Sequence, residues 1–273
     1  MSLRSEIVSW LDANAATFIG NARYHYHATL RRDIVYPKVS KEIFGRVNSQ
    51  HAGAIDVGAN VGIYTRYLCS KFASVVAVEP IPYLAERLNR SKPKNCTVEA
   101  VALSETQGSI TMRVPVNAAG AEMPALSTAS QSNALSFIDS VGVVEKTVAC
   151  RRLDDVAEGI INLGFVKIDV EGFEGAVLAG ASRTLSVVRP IIQLEIGRAH
   201  NPDYKKVLLT MAEAEFTAFA IQKEGLYLDF QRFLDQQPIT VLNEHSSSPQ
   251  GCWDYLFIPN ERQAKLSEGL IRD

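Results

Sequence analysis

The chain has 273 residues, with 28 Lys and Arg against 30 Asp and Glu, for a formal net charge of −2. Hydrophobic residues make up 47% and charged ones 21%, which excludes a disordered chain, a collagen and a disulfide-stapled miniprotein. Basic residues fall only in short groups, which excludes a dedicated nucleic-acid binder, and no apolar run approaches the roughly 18 residues of a membrane span.

Arg4, Glu6 and Asp12 interrupt the apolar residues of the N-terminus, so it does not read as a signal peptide. The cysteines, Cys69, Cys96, Cys150 and Cys252, are widely spaced and form no C-x-x-C pair. Together these features imply reduced thiols and a cytoplasmic home.

Residues 1–50 read as an N-terminal helical extension, from the spacing of Ile7, Val8, Trp10, Leu11, Phe18 and Ile19. Within it, Tyr24-His25-Tyr26-His27 suits packing against the next domain or the lining of a substrate mouth. Residues 51–273 read as one α/β domain. Ala54–Val57 is a short apolar strand ending in glycines, and Ile63–Phe72 has helical spacing. Ser74–Val78 is a β-branched strand, Pro82–Asn89 a helix with proline near its start, and Cys96–Leu103 the next strand. Alternation of continuous apolar strands with helices implies a parallel sheet covered on both faces.

The second half repeats the pattern. Phe165–Val170 is a strand, Gly175–Leu185 a helix, Pro190–Ile196 a strand and Asp203–Glu213 a helix. Phe216–Ile221 and Trp253–Ile258 are late strands. Between the halves, Ser109–Val114 and Val143–Arg152 read as an extra pair of strands. They flank Ala118–Asn133, rich in Ala, Ser and Gly, which reads as a loop near the site or a mobile lid.

Two stretches carry chemistry. The first is Asp56-Val57-Gly58-Ala59-Asn60-Val61-Gly62, between a buried strand and a helix, with Glu79 closing the second strand. Gly58 permits close backbone approach to a ligand, and Gly62 lets the helix start near the strand. An acid about 20 residues after the first glycines is placed to accept both hydroxyls of a ribose. Asn60 replaces the middle glycine of a dinucleotide fingerprint, and Asp56 repels phosphate while suiting an ammonium. S-adenosylmethionine, with an ammonium and a ribose but no phosphate, fits this pattern better than NAD. The bland alternative is that Asp56 and Asn60 only cap the turn.

The second stretch is Phe165-Val166-Lys167-Ile168-Asp169-Val170-Glu171-Gly172-Phe173-Glu174. In a strand, Lys167, Asp169 and Glu171 share one face. Buried charges are costly unless paired or opened to a cleft, and open α/β sheets bind ligands at the carboxyl ends of their strands. Asp169 and Glu171 are therefore expected at the cleft, with Lys167 deeper and paired to an acid. A purely structural ion pair is the alternative. The next strand also ends in an acid, Glu195, and His200 follows. Asp169, Glu195 and His200 are the candidate ligands should a divalent metal bind, with magnesium or manganese suiting them better than zinc.

The stretches DVGANVGIYT (56–65), VVAVEPIPYLAERL (75–88), AVALSETQG (100–108) and VKIDVEGFEGAVLAGA (166–181) resemble the FkbM family of S-adenosylmethionine-dependent methyltransferases, with RPIIQLEI (189–196) and DYLFIP (254–259) in support. The resemblance implies a Rossmann-like class I methyltransferase fold: a seven-stranded, mostly parallel sheet with helices on both faces, its last strand antiparallel and supplied by Trp253–Ile258. It implies O-methylation of a hydroxyl on a sugar, glycan or polyketide-type acceptor. It matches Asp56, Gly58, Asn60 and Gly62 to the cofactor loop, Glu79 to the ribose acid, and Asp169 and Glu171 to the acidic block beside the site. An alcohol needs a base to take its proton, and Asp169, Glu171 and His200 are the candidates. From other classes, a non-catalytic cofactor-binding scaffold and a nicotinamide oxidoreductase are the alternatives.

Overall fold

The computed structural model describes residues 43–131, 135, 141–196, 201, 203–222, 225–228, 254–268 and 271–272. The leader through residue 42, with Tyr24–His27, lies outside the described residues, as do His200, Cys252 and Trp253.

Three mostly apolar strands are buried throughout, their charged residues Asp56, Lys167 and Asp254 included. β1 (Gly53–Val57), β7 (Leu163–Ile168) and β11 (Asp254–Pro259) have every residue buried, as strands covered on both faces must. With β2 (Ser74–Val78), β3 (Cys96–Glu99), β8 (Ile191–Glu195) and β9 (Phe216–Gln222) they form the order β3-β2-β1-β7-β8-β11-β9. β3, β2, β1, β7 and β8 run parallel. β11 is antiparallel to both its neighbours. This is the expected seven-stranded arrangement with its reversed strand. Among the described residues, β10 (Gly225–Leu228) and β12 (Ile271–Arg272) extend the sheet beyond β9.

Two helical layers divide the apolar side chains by strand alternation. On one face, Ile55, Val57, Val166, Ile168, Ile192 and Leu194 pack with Val177 and Leu178 of α4 (Glu174–Ala179) and Val207 and Met211 of α5 (Tyr204–Glu213). On the other, Ala54, Val75, Phe165, Ile191 and Leu256 pack with Tyr64 and Leu68 of α1 (Ile63–Cys69) and with Ile43, Phe44 and Phe72. The Phe44 ring meets Phe72 and Phe165 edge-on, with centroids 4.9 Å apart in each case.

The expected strand Cys96–Leu103 divides in two. β3 ends at Glu99, opposite the last residue of β2, and finds no partner beyond it. The chain bends at 100–101, and β4 (Ala102–Leu103) joins a second sheet, β4-β6-β5, with β5 (Gly108–Val116) and β6 (Gly142–Arg151) antiparallel. The expected helix Gly175–Leu185 is likewise divided. α4 stops at Ala179, the Cβ position of the following Gly180 is taken by the Ser104 carbonyl, and a π-type turn, Thr184–Val188, follows.

The segment expected as a loop or lid is exposed at Ala118–Ala121 and packed from Met123 to Ser130. Met123, Leu126, Ser127, Thr128, Ala129 and Ser130 are buried, and Thr128 pairs with Arg113 of β5. Small side chains let it lie flat on that sheet. Ala129, with Met112, Val114 and Val148, packs on Ile81 and Leu84 at the start of α2 (Pro82–Ser91), and Val61 and Phe173 join the cluster. The second sheet thus covers the side of the main sheet where β2 ends. Among the described residues, no helix is long and apolar enough to cross a membrane.

Candidate active site

Register places the polar residues in rows on the face that α1 covers. Asp56 of β1 lies beside Ala77 of β2 and Lys167 of β7, and Lys167 beside Gln193 of β8. Two residues further along, by strand alternation, come Glu79, Gly58, Asp169, Glu195 and Asp254, the last two directly opposed. Acids thus recur along the carboxyl crest of the sheet.

Lys167 organises the lower row. It is buried, and its Nζ lies 2.9 Å from Asp169 Oδ2 and 5.2 Å from the centroid of the Tyr64 ring. Burial opposes its charge, but Asp169, Asp56 and Glu195 outweigh burial and hold its pKa above the usual lysine range. The acid partner expected for this lysine is therefore Asp169. Asp56 is fully buried. Its Oδ2 accepts the Thr65 hydroxyl at 2.6 Å, while its Oδ1 has no hydrogen-bond partner among the described residues. Burial raises the Asp56 pKa, and Lys167 and Thr65 counter part of that. Beside this pair, the Tyr64 hydroxyl donates to Gln193 Oε1 at 2.7 Å, and Gln193 Nε2 donates to Asp254 Oδ1 at 3.0 Å.

The glycine loop spends its amides internally. Gly58 N–H and Ala59 N–H both donate to the Val78 carbonyl at 3.0 Å, and Gly62 N–H donates to the Ala59 carbonyl at 2.8 Å. Asn60, at φ +51°, donates its N–H to Glu79 Oε2 at 2.7 Å. The Ile81 N–H donates to Glu79 Oε1 at 2.8 Å. Burial pushes the Glu79 carboxyl up to about 7, against the pull of these two amides. The side of Gly58 that a Cβ would fill is taken by the Asp169 carbonyl, 1.9 Å away. A glycine is therefore required there by the junction of β1 and β7, whatever binds above it.

β7 ends at Ile168, two residues earlier than its sequence pattern suggests. Asp169 remains tied to β1 through its N–H to the Val57 carbonyl at 3.0 Å. Glu171 and Gly172 then take φ of +51° and +96°. The chain has turned by that point, so Glu171 does not continue the strand face of Lys167 and Asp169 as the alternation predicted. Glu195 is half-buried on the neighbouring strand and acts electrostatically on Lys167. Among the described residues, no three His, Cys, Asp or Glu side chains come together to hold a metal.

Residues without a role in the sequence reading also belong here. Glu174, buried, accepts from Gly172 N–H at 3.0 Å and from Asn201 Nδ2 at 2.6 Å. Its only sequence signal is its place in the D-V-E-G-x-E run. Tyr64, Gln193 and Asp254 also lie in runs that carry the resemblance, but nothing local marks their pairing, and Asn201 lies in no such run, because their partners are far away in the chain.

Residues 56–218 match the methyltransferase FkbM domain, the segment that carries the loop, Glu79 and the acidic block. The chain belongs to the FkbM methyltransferase family. That family is one of methyltransferases. A methyltransferase FkbM from Methylobacillus flagellatus KT matches it at 15% identity and a TM-score of 0.42, over 76% of this chain and 44% of its own. This chain thus spans less than half of that protein's length. Precorrin-6y C5,15-methyltransferase from Geobacter metallireducens GS-15 matches at 10% identity and a TM-score of 0.36, over 64% of this chain and 69% of its own. A TehB-like SAM-dependent methyltransferase from Corynebacterium glutamicum matches at 11% and 0.37, over 88% of this chain and all of its own. No curated protein matches the chain.

Proposed function

We propose that this FkbM methyltransferase transfers the methyl group to a hydroxyl of a sugar, glycan or polyketide-type acceptor, with the donor held at the carboxyl crest of β1 and β2. The observation that carries the donor site is electrostatic. The loop amides of Gly58, Ala59 and Asn60 are already engaged by Val78 and Glu79, so the loop has little to offer a pyrophosphate. The crest instead presents Glu79 and Asp169, with the orphaned Oδ1 of Asp56 beneath them. Such a site suits a cationic, phosphate-free nucleoside. Glu79 would take the ribose hydroxyls through its remaining lone pairs, while Asp56, Gly58, Asn60 and Gly62 shape the loop around the amino-acid end.

When bound, the donor supplies an electrophilic methyl group on a sulfonium. The protein's share is to hold the acceptor oxygen in line with it, exclude water and take up the hydroxyl proton. Lys167 fixes the orientation of Asp169, whose side chain is 28% exposed and so within reach of a ligand. Asp169, Glu171 and His200 remain the three candidates for the base. A divalent metal, should one take part, would draw on Asp169, Glu195 and His200. A cytoplasmic setting, in which Cys69, Cys96 and Cys150 stay as thiols, belongs to the same reading.

The test is calorimetry with S-adenosylhomocysteine, followed by mass spectrometry of hydroxylated acceptors incubated with enzyme and donor. A mass gain of one methyl group on a sugar or polyketide hydroxyl is expected. Donor binding with no transfer across the panel would favour a scaffold, and absence of binding would remove the site.

A further inference from the structure

We propose that Glu174 and Asn201 form a positioning pair that sets the loop after β7 against the loop after β8, and that methyl transfer depends on it. The inference rests on the crest being the site of transfer, as proposed above. The turn after β7 carries Asp169 and Glu171, and Asn201 stands shortly before α5, directly after His200 in sequence.

The first loop needs outside support. Glu171 occupies the left-handed region at φ +51°, with Gly172 following at +96°. For a residue with a side chain that conformation is strained, and it persists only where its surroundings over-determine it. Glu174 supplies that determination. One carboxylate oxygen accepts from Gly172 N–H at 3.0 Å, within the strained turn, and the other accepts from Asn201 Nδ2 at 2.6 Å. Asn201 Oδ1 in turn accepts from Asp203 N–H at 3.0 Å, and its carbonyl accepts from Tyr204 N–H at 3.2 Å, at the start of α5. The chain of contacts therefore runs from the turn bearing Glu171, through two side chains, to the end of the second loop.

The burial of the pair separates positioning from mere cohesion. Glu174 is 1% exposed and Asn201 3%. Burial pushes the Glu174 carboxyl up to about 7, so this contact is held at a cost. Apolar residues of similar volume would pack these loops at least as well. A fully satisfied buried polar contact adds one defined arrangement, because any shift leaves a donor or acceptor without a partner. Both side chains are engaged with each other and with backbone N–H groups. Their effect on the reaction is indirect.

The pair can be exchanged, which gives a test that a simple loss of stability does not mimic. Glu174→Gln leaves one acceptor oxygen for two donors, so either Gly172 N–H or the Asn201 amide loses its partner. Asn201→Asp sets two carboxylates against each other. Combined, E174Q/N201D restores the geometry with the roles reversed. The amide on α4 accepts from Gly172 and donates to the carboxylate now in the loop, which still accepts from Asp203.

Each variant of the full chain is assayed for turnover on an acceptor found as above, for affinity toward S-adenosylhomocysteine, and for hydrogen exchange of the peptides covering 169–176 and 200–206. Each single variant is expected to lose at least about tenfold in kcat, as misplacement of a reacting group does, with ligand affinity changed by less than about threefold. Exchange should rise in both peptides. The double variant should recover kcat and exchange protection to within about threefold of the parent. Single variants with parental kcat, or a folded double variant as impaired as the singles, would overturn the pairing. If the parent transfers no methyl group to any acceptor, the proposed reaction fails by itself. The exchange data then decide the pair: protection lost in the singles and regained in the double supports it, and unchanged protection overturns it.

Discussion

Gly58→Ala tests the junction on which the site is built. Gly58 has φ +81°, and an alanine Cβ there would lie 1.9 Å from the Asp169 carbonyl oxygen and 3.0 Å from its carbon. Both are backbone atoms and cannot rotate away. Gly120 provides the matching control: its φ is +77°, and nothing lies within 4 Å of the Cβ position. Gly120→Ala therefore measures the left-handed strain alone, about 1–2 kcal/mol. Gly58→Ala carries the same strain plus displacement of the β7 crest, about 1–3 kcal/mol for overpacking, for a sum of about 2–5 kcal/mol. The displaced residue is Asp169, which pairs with Lys167 and donates its N–H to Val57, so the site moves with it. Urea unfolding of both variants, with calorimetric titration of S-adenosylhomocysteine, gives the two costs. Gly58→Ala should be the less stable by at least about 1 kcal/mol and should bind ligand more weakly, while Gly120→Ala binds normally. Equal stability, with equal affinity, would refute the close approach of β1 and β7.

Glu79→Ala should weaken donor binding by about 1–3 kcal/mol, as for hydrogen bonds lost to a charged group; unchanged affinity in calorimetry removes the ribose role. Glu79 and Glu174 both sit at about 7 in the folded protein against an ordinary 4.5, so each holds its proton more tightly folded than unfolded. Their contribution to stability is complete below about pH 4.5 and is lost as pH rises through about 7, about 3 kcal/mol for each group. The unfolding free energy of E79Q/E174Q should accordingly fall less than that of the parent between pH 5 and 8, and parallel pH profiles would contradict the burial of these acids. Lys167→Met leaves the buried Asp56 and the half-buried Asp169 without the Lys167 cation and should cost about 3–5 kcal/mol in denaturant unfolding; a cost below about 1 kcal/mol would mean that the pair is solvated. Asp169→Asn should lower methyl transfer while leaving the melting temperature within a few degrees, and a fully active variant takes Asp169 out of the reaction.

What the sequence reveals and what it hides follow from the reach of local patterns. Mostly apolar runs announce β1, β2, β7 and β8, because burial on both faces demands them whatever the rest of the chain does. The alternation of Val166 and Ile168 with Lys167 likewise places the lysine on one face and asks for an acid. The boundary errors share one cause. Where a strand stops depends on its neighbour, so Cys96–Leu103 divides at the point where β2 ends. Local propensity is equally blind to the Ser104 carbonyl, against which Gly180 packs after α4 ends at Ala179. Alternation puts Glu171 on the strand face, two residues beyond Asp169, where the chain has already turned. The turn at Glu171 and Gly172, with its positive φ, is contacted by Glu174 through the Gly172 N–H, and Asn201, which donates to Glu174, lies 27 residues beyond it. Contacts between loops of that separation leave no periodic trace.

The buried lysine explains why the acids of the crest can coexist. Asp56, Asp169 and Glu195 all act on Lys167, so three carboxylates face one ammonium, and the group carries a surplus of negative charge with Glu79 nearby. An apolar residue at 167 would spare one desolvation but leave Asp56 without the cation that counters its burial. The lysine therefore holds the anions in place without cancelling them, and the surplus lies at the open end of the strands, where a cation can approach. That distribution accords poorly with a diphosphate, whose charge would add to the surplus, and well with a donor whose positive charge offsets it.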